Sequence, residues 1–429
     1  MNWINKILKG DRVIWVVALL LGVISLLAVY SATSSEAAVK VGAYNEKVLL
    51  KHAATLLAGY VMMYLASRID YRNYARGIEL VLIFSFILLV FTFFCGSRIN
   101  GASRSIMGFQ TSEMAKIVLI AYLAKYIVVF TGKNYTLKDI IIPIALPIFL
   151  IVAPIFPENL STAAMLFVVC ITLLFIGRIK FGYIMAIIGV AVLGMSLYIL
   201  TDDAVANHNQ RKHERIVAEA AAHPENAELQ AKAAKEPRVS RVKTWIGRIE
   251  DKKMEKEAKK LSNEDGTAIA QTQLEINDRN AQKIYAKIAV AKGGLFGKGS
   301  GKSTQRNFLP QPFSDCIYAI IIEEYGLIGG IFVMLLYIIL LTRTLKIMRD
   351  KPLTFGALLS FGIALILVVQ AMVNMGVSTG LMPITGQQLP FISKGGSSML
   401  MTGFAIGMIL SVTRHEQEQL QLQMELEEA

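Results

Sequence analysis

Long apolar runs alternate along the chain with short polar, basic loops. About ten runs are long enough to cross roughly 30 Å of hydrocarbon as helices rising about 1.5 Å per residue. They lie near residues 12–32, 47–66, 77–96, 113–131, 139–155, 160–177, 181–201, 315–342, 354–380 and 396–412. Pro143, Pro147, Pro154 and Pro157 interrupt the fifth and sixth. Spanning helices tolerate such breaks where neighbours re-satisfy the freed backbone groups. The pattern predicts an all-α polytopic membrane protein with about ten transmembrane helices and a large extracytoplasmic loop between helices 7 and 8. Residues 1–201 carry helices 1 to 7, residues 202–314 the loop, residues 315–412 helices 8 to 10, and residues 413–429 a polar cytoplasmic tail.

Composition agrees, with 54% hydrophobic and 18% charged residues and a mean hydropathy of +0.50. Lys and Arg crowd alternate short loops, as at Arg68, Arg72, Arg76, Lys133, Lys138, Arg178, Lys180, Arg343 and Lys346. That bias sets both termini in the cytoplasm and residues 202–314 outside, because long loops translocate largely regardless of charge. The long loop also explains much of the net charge of +12, so nucleic acid need not be invoked. The first apolar run lacks the usual small-residue cleavage site and reads as a retained span. Cys95, Cys170 and Cys316 lie in or beside different spans and read as buried, unpaired thiols. Neither they nor the five histidines have metal-ligand spacing, so no metal site is assigned.

The long loop divides in two. Residues 207–282 are rich in Ala, Glu, Lys and Gln and read as solvated helices, either a tolerated insertion or a partner-binding arm. Residues 284–314 are glycine-rich and basic and read as the active-site loop. The string GKGSGKS imitates a nucleotide-binding P-loop, but Phe296 stands where the first glycine is required. The glycines allow close backbone approach and exposed N–H groups that, with Lys298, Lys302 and Arg306, suit an anionic, oxygen-rich group. The alternative is a flexible loop with solvated lysines.

The loop leads into Asp315, where polar chain turns into an apolar helix. A carboxylate at the edge of a low-dielectric slab is expensive to ionise and suits proton transfer or ligand binding. The competing role is a helix N-cap by Ser314 or Asp315. Other polar groups fall on the same outer side. Glu113 and Lys116 share a helix face after a loop carrying Arg104 and Gln110, and either pair with each other or point into a cavity. Gln370 and Asn374 suit interhelical hydrogen bonding, and Ser397 and Ser398 after Gly395 and Gly396 suit close packing or a polar cleft wall. Glu323 and Glu324 lie deep enough in the eighth helix to need partners or water.

The segments GASRSIMGFQTSEMAK, LFGKGSGKSTQRNFLPQPFSDCIYAIIIEEYGLIGG and NMGVSTGLMPITGQQLPFISKGGSSML closely resemble the signature segments of the SEDS family (shape, elongation, division and sporulation). The resemblance covers nearly the whole membrane part in the right order. PFIS within LPFISKGGSS and the start KGDRVIW look more like the division branch (FtsW) than the elongation branch (RodA). It implies a peptidoglycan glycosyltransferase that polymerises lipid II on the outer face of the bacterial cytoplasmic (inner) membrane. By the same resemblance Asp315 matches the family's essential aspartate and takes a proton from the attacking sugar hydroxyl while undecaprenyl pyrophosphate leaves. Substrate-binding roles are expected of Glu113, Lys116, Arg104, Lys298, Lys302, Arg306, Ser397 and Ser398. A divalent cation, Mg or Mn, is compatible with the pyrophosphate, without a dedicated ligand set. The implied partners are lipid II, a class B penicillin-binding protein transpeptidase and other divisome membrane proteins. A lipid II flippase and a non-catalytic scaffold are the alternative functions.

The chain departs from the family pattern. GARRW reads GASRS, with Ser103 and Ser105; QPDLGTA reads PENLSTA, with Asn159 where an acid is usual; and the tyrosine of SYGGSS is Lys394.

Overall fold

The computed structural model describes residues 9–33, 45–95, 97–99, 102–105, 109–222, 281–309 and 312–428. Each of the apolar runs is helical: α1 Arg12–Thr33, α2 Asn45–Arg68, α3 Ile78–Cys95, α4 Thr111–Phe130, α5 Leu137–Glu158, α6 Leu160–Ile176 and α7 Phe181–Ala222. After α8, Ala281–Gly293, come α9 Ile317–Asp350, α10 Phe355–Ser378 and α11 Gly396–Glu428. Among the described residues, eight helices are long and apolar enough to cross a membrane, namely α1, α2, α3, α5, α7, α9, α10 and α11. Helix α4 has 20 residues and carries Glu113, Lys116 and Lys125, and α6 is a shorter apolar helix of 17.

Helix α10 is the centre of the bundle: 78% of its apolar stretch is buried, against 28% for α3. It packs on α4, α6, α9 and α11, while α11 also runs along α2, and α1 packs on α9. Helix α3 turns Leu80, Ile83, Phe84, Ile87, Phe91 and Phe94 outward, a stripe at helical spacing that suits lipid.

Several boundaries differ from those read in the sequence. Helix α7 continues from the expected end at 201 to Ala222, because the Ala-rich start of the insertion has high helix propensity. Residues 185–275 cluster as a unit of their own, described here as the α7 run to Ala222. Helix α11 likewise runs on through the polar tail to Glu428. Of the prolines of α5, Pro143 is absorbed by a π-helical turn, Ile141–Ala145, between Leu137–Ile140 and Leu146–Glu158; Pro147 starts the latter stretch, and Pro154 and Pro157 lie inside it. A wider turn makes room where a proline ring would meet the preceding carbonyl. A small antiparallel hairpin, β1 Ser97–Ile99 with β2 Ala102–Ser105, lies in the connection between α3 and α4 of this otherwise helical bundle.

The largest departure is in α9, which breaks at Gly326 (φ 71°, ψ −173°). A continuous helix would bond the Leu327 and Ile328 N–H groups to the Glu323 and Glu324 carbonyls. Instead Leu327 N donates to Gly294 O (2.9 Å) and Ile328 N to Leu295 O (3.3 Å). The freed carbonyls of Glu323 and Glu324 accept from Lys298 N (3.0 Å) and Gly299 N (2.9 Å). The glycine-rich loop thus stitches itself into the helix break and satisfies all four backbone groups, which a low-dielectric setting demands.

Two glycines make that approach sterically feasible. A Cβ on Gly297 (φ 78°) would lie 2.1 Å from Glu324 O, and one on Gly326 would lie 2.1 Å from Leu295 O. Gly297→Ala is therefore expected to lower thermal stability by more than the roughly 1–2 kcal/mol of a left-handed alanine, because a backbone clash is added. A melting temperature in detergent equal to wild type would contradict this contact.

Candidate active site

Asp315 lies half-buried in the turn before α9, and Ser314 Oγ donates to its Oδ1 at 2.9 Å. The N-cap position of α9 belongs to Cys316, which makes no side-chain capping bond. The capping role offered to Ser314 or Asp315 by sequence is therefore not realised: the helix starts at Ile317, one residue too late.

The backbone around Asp315 is pinned by Asn374 of α10 and by the segment between α10 and α11. Asn374 Nδ2 donates to Asp315 O (3.0 Å) and to Gln387 O (2.7 Å). Ser393 Oγ donates to Ser314 O (2.7 Å) and Lys394 N to Phe313 O (2.9 Å). The Lys394 ammonium stands 4.5 Å from the centre of the Phe313 ring, and burial, helped by nearby Lys51, pulls it below the usual lysine range. The sequence suggested interhelical bonds for Gln370 and Asn374. Gln370 makes one, its Oε1 accepting from Lys116 Nζ on α4 at 2.8 Å, and its Nε2 donates to Gln388 O at 3.0 Å, whereas Asn374 holds two carbonyls outside the helices.

Glu113 and Lys116 form a buried ion pair of 2.8 Å, and Lys116 Nζ also donates to Gln370 Oε1 at 2.8 Å. Ser398 Oγ donates to Gln388 Oε1 (2.6 Å), and Ser397 Oγ accepts from Gln110 N (2.9 Å). Glu113, Lys116, Gln370, Gln388 and Ser398 are thereby joined in one hydrogen-bonded chain, while Ser397 ties the start of α11 to the start of α4. Such a network rigidifies the wall beside Asp315 because each buried polar group is paired. Arg104 lies in β2, outside the described side chains.

The basic loop is organised differently from the sequence expectation. Glu323, fully buried, accepts from Lys298 Nζ (2.7 Å), Ser303 Oγ (2.6 Å), Thr304 Oγ1 (2.9 Å) and the backbone N–H groups of Thr304 and Gln305 (each 3.2 Å). Glu324 accepts from Ser31 Oγ and from Ser303 N. Arg306 Nη1 is spent on Ser31 O (3.2 Å) and Gly301 O (2.9 Å). The N–H groups expected to be exposed for an anionic ligand are filled from within the chain: those of Gly297, Lys298, Gly299 and Lys302 by backbone carbonyls, and those of Ser303, Thr304 and Gln305 by the Glu323 and Glu324 carboxylates. Of the three basic residues, Lys302 is the exposed one, while Lys298 and Arg306 hold the loop in place.

Cys95 is exposed rather than buried, whereas Cys170 and Cys316 are buried and unpaired as expected. Among the described residues no group of three His, Cys, Asp or Glu side chains could hold a metal ion. Sequence reasoning did not single out Lys394 as a cation beside the Asp315 turn, nor Glu158 at the end of α5. The signal for Glu158 was present in PENL, an acid directly after Pro157 at the close of an apolar run.

Comparison with known proteins agrees with this architecture. Stage V sporulation protein E of Bacillus subtilis is 28% identical over 96% of this chain and 99% of its own length. Probable peptidoglycan glycosyltransferase FtsW of Geobacter metallireducens is 31% identical over 96% of both chains. A chain from the solved structure "Structural coordination of polymerization and crosslinking by a peptidoglycan synthase complex" shares the fold, with a TM-score of 0.61 at 20% identity over 94% of this chain and 98% of that one. The family profile FtsW/RodA/SpoVE, described as cell cycle protein, matches residues 11–235 and 269–418. The ten helical runs, the pinned aspartate and these matches together show that the chain is a multi-pass membrane protein belonging to the FtsW/RodA/SpoVE family.

Proposed function

We propose that this protein is a peptidoglycan glycosyltransferase that polymerises lipid II into glycan strands, serving cell division, with Asp315 as the general base. The observation that carries the reading is the state of Asp315: a half-buried carboxylate that caps no helix and whose backbone is held from two sides by Asn374 and Ser393. Rigid support of this kind suits a group that must meet a reacting hydroxyl in one geometry.

In the proposed reaction a sugar hydroxyl attacks the anomeric carbon of the lipid-linked saccharide. A C–O glycosidic bond forms, the anomeric bond to phosphate breaks, and undecaprenyl pyrophosphate leaves with the bonding electron pair. The hydroxyl proton passes to Asp315. Lys302, Lys394 and Arg104 are the cations assigned to the leaving pyrophosphate. Lys298 and Arg306 act by shaping the loop, and Glu113, Lys116, Ser397 and Ser398 by shaping the wall. A divalent cation, Mg or Mn, would arrive with the pyrophosphate and offset part of its negative charge.

The reaction is placed at the outer face of the cytoplasmic membrane, with both termini inside, on the strength of the basic-loop bias. A class B penicillin-binding protein and other divisome proteins are the partners proposed. Purified protein incubated with lipid II, alone and with a co-purified transpeptidase, tests this directly. Glycan strands are expected. Transbilayer movement of labelled lipid II without polymer would favour a flippase, and neither activity would favour a scaffold.

A further inference from the structure

Helix α9 consists of two stretches joined at Gly326, and two independent lengths fix where that break lies in the bilayer. Along α9, Arg343 and Glu324 are separated by about 28 Å of helix rise. Along α1, Asp11 and Ser31 are separated by about 30 Å. Asp11 is ion-paired with Arg343 at one end, and Ser31 donates to Glu324 at the other, so the two lengths measure the same span. Both match a hydrocarbon core of roughly 30 Å. With the basic Arg343 end at one boundary, Glu324 lies at the opposite one, and Leu327 lies about 5 Å inside it.

The glycine-rich loop brings Leu295 and Phe296 to this level. Leu327 N and Ile328 N donate to Gly294 O and Leu295 O, which sets the Leu–Phe pair beside the first turn of the spanning stretch. The two residues are 61% and 79% exposed, and the backbone fixes them there. Gly297 N closes the turn on Gly293 O at 2.8 Å, while α9 occupies the carbonyls of Gly294 and Leu295. A fixed tip that turns two large apolar side chains outward needs its surroundings to cover them.

We infer that Leu295 and Phe296 form a wedge that enters the acyl region of the bilayer and anchors the glycine-rich loop at a set depth. The inference stands on the fold and does not depend on the proposed reaction. Two observations select lipid over a protein partner. The pair continues the outward apolar surface of α9 made by Leu327, Ile328, Ile331, Phe332 and Leu335. Exposed Lys292 ends α8 just before the pair, and a lysine beside an apolar insertion extends its ammonium to headgroup phosphates. A segment that sequence assigns wholly to a polar external loop thereby has its tip in the membrane, and the chain leading to Asp315 is tethered to the bilayer.

Phe296→Trp and, separately, Leu295→Trp in the purified full chain, reconstituted in phosphatidylethanolamine and phosphatidylglycerol vesicles, test this by fluorescence. Subtracting the wild-type spectrum removes the emission of Trp3, Trp15 and Trp245. The added emission is expected to be blue-shifted and shielded from aqueous iodide. It should lose more intensity to acyl chains brominated near the headgroup than to chains brominated near the bilayer centre, because the wedge lies only about 5 Å below the boundary. Quenching by iodide with none by brominated chains would place the tip in water and overturn the inference. Protection from both quenchers would mean that a second copy of the chain covers the tip, and would overturn it equally. Each position reports alone, so misfolding of one variant leaves the other decisive.

Discussion

Asp315→Asn protein, purified and reconstituted like wild type, is expected to lose glycan elongation from lipid II by about 10² to 10⁴, the range that general-base assistance contributes. Asn is nearly isosteric and can still accept from Ser314 Oγ, now at 2.9 Å from Asp315 Oδ1. The Asn374 bond is made to the backbone carbonyl and does not depend on the side chain. Folding and melting temperature should therefore change little, so the loss reports on chemistry rather than structure. Lipid II affinity should also be largely retained, because the base acts on the transition state more than on the ground state. Elongation at the wild-type rate would remove Asp315 from the mechanism.

The second large effect is expected at Glu323→Ala, which should release the glycine-rich loop. The side chain is 0% exposed and gathers an ammonium, two hydroxyls and two backbone N–H groups. Breaking a buried pair by deleting one partner costs about 3–5 kcal/mol. Lys298 keeps 28% of its side chain exposed, so solvent screens part of the ion pair and the lower end of that range is expected. The measurable result is a lower melting temperature in detergent, with faster amide exchange confined to residues 294–306. Lys298→Met should cost less, because Glu323 keeps its hydroxyl and backbone donors. A smaller effect for Glu323→Ala than for Lys298→Met would show that the carboxylate is not the loop's anchor.

Much of the fold was legible because a bilayer leaves a one-dimensional record. Each crossing needs a helix that pairs its own backbone and presents apolar side chains, so length and hydropathy alone placed the helical runs of α1 to α7 and α9 to α11. Boundaries were less legible where sequence carried no stop signal. The Ala-rich start of the insertion simply prolongs α7 to Ala222. The break in α9 was hidden in EEYGLIGG, where nothing local distinguishes Gly326 from Gly329 and Gly330, which stay helical.

The candidate site shows the same division residue by residue. Asp315 stood out because a carboxylate at a polar–apolar boundary is costly, and Glu113 with Lys116 because their spacing puts them on one helix face. The Gly-rich loop was correctly read as needing close backbone approach, but the anion it cradles is Glu323, from a helix twenty residues downstream, and no local pattern pairs the two. Likewise Asn374 looked like a helix–helix contact and proved to hold the Asp315 turn through a carbonyl.

Sequence by itself determined the membrane class, the helical runs, the family resemblance and the aspartate at the head of α9. The tertiary structure alone decided how the polar and charged side chains are spent: Lys298 and Arg306 in building the loop, and Asn159 in capping α6. The reason is physical. Apolar periodicity is written in neighbouring residues, whereas the fate of a charge in a low-dielectric interior depends on the partners that distant segments bring to it.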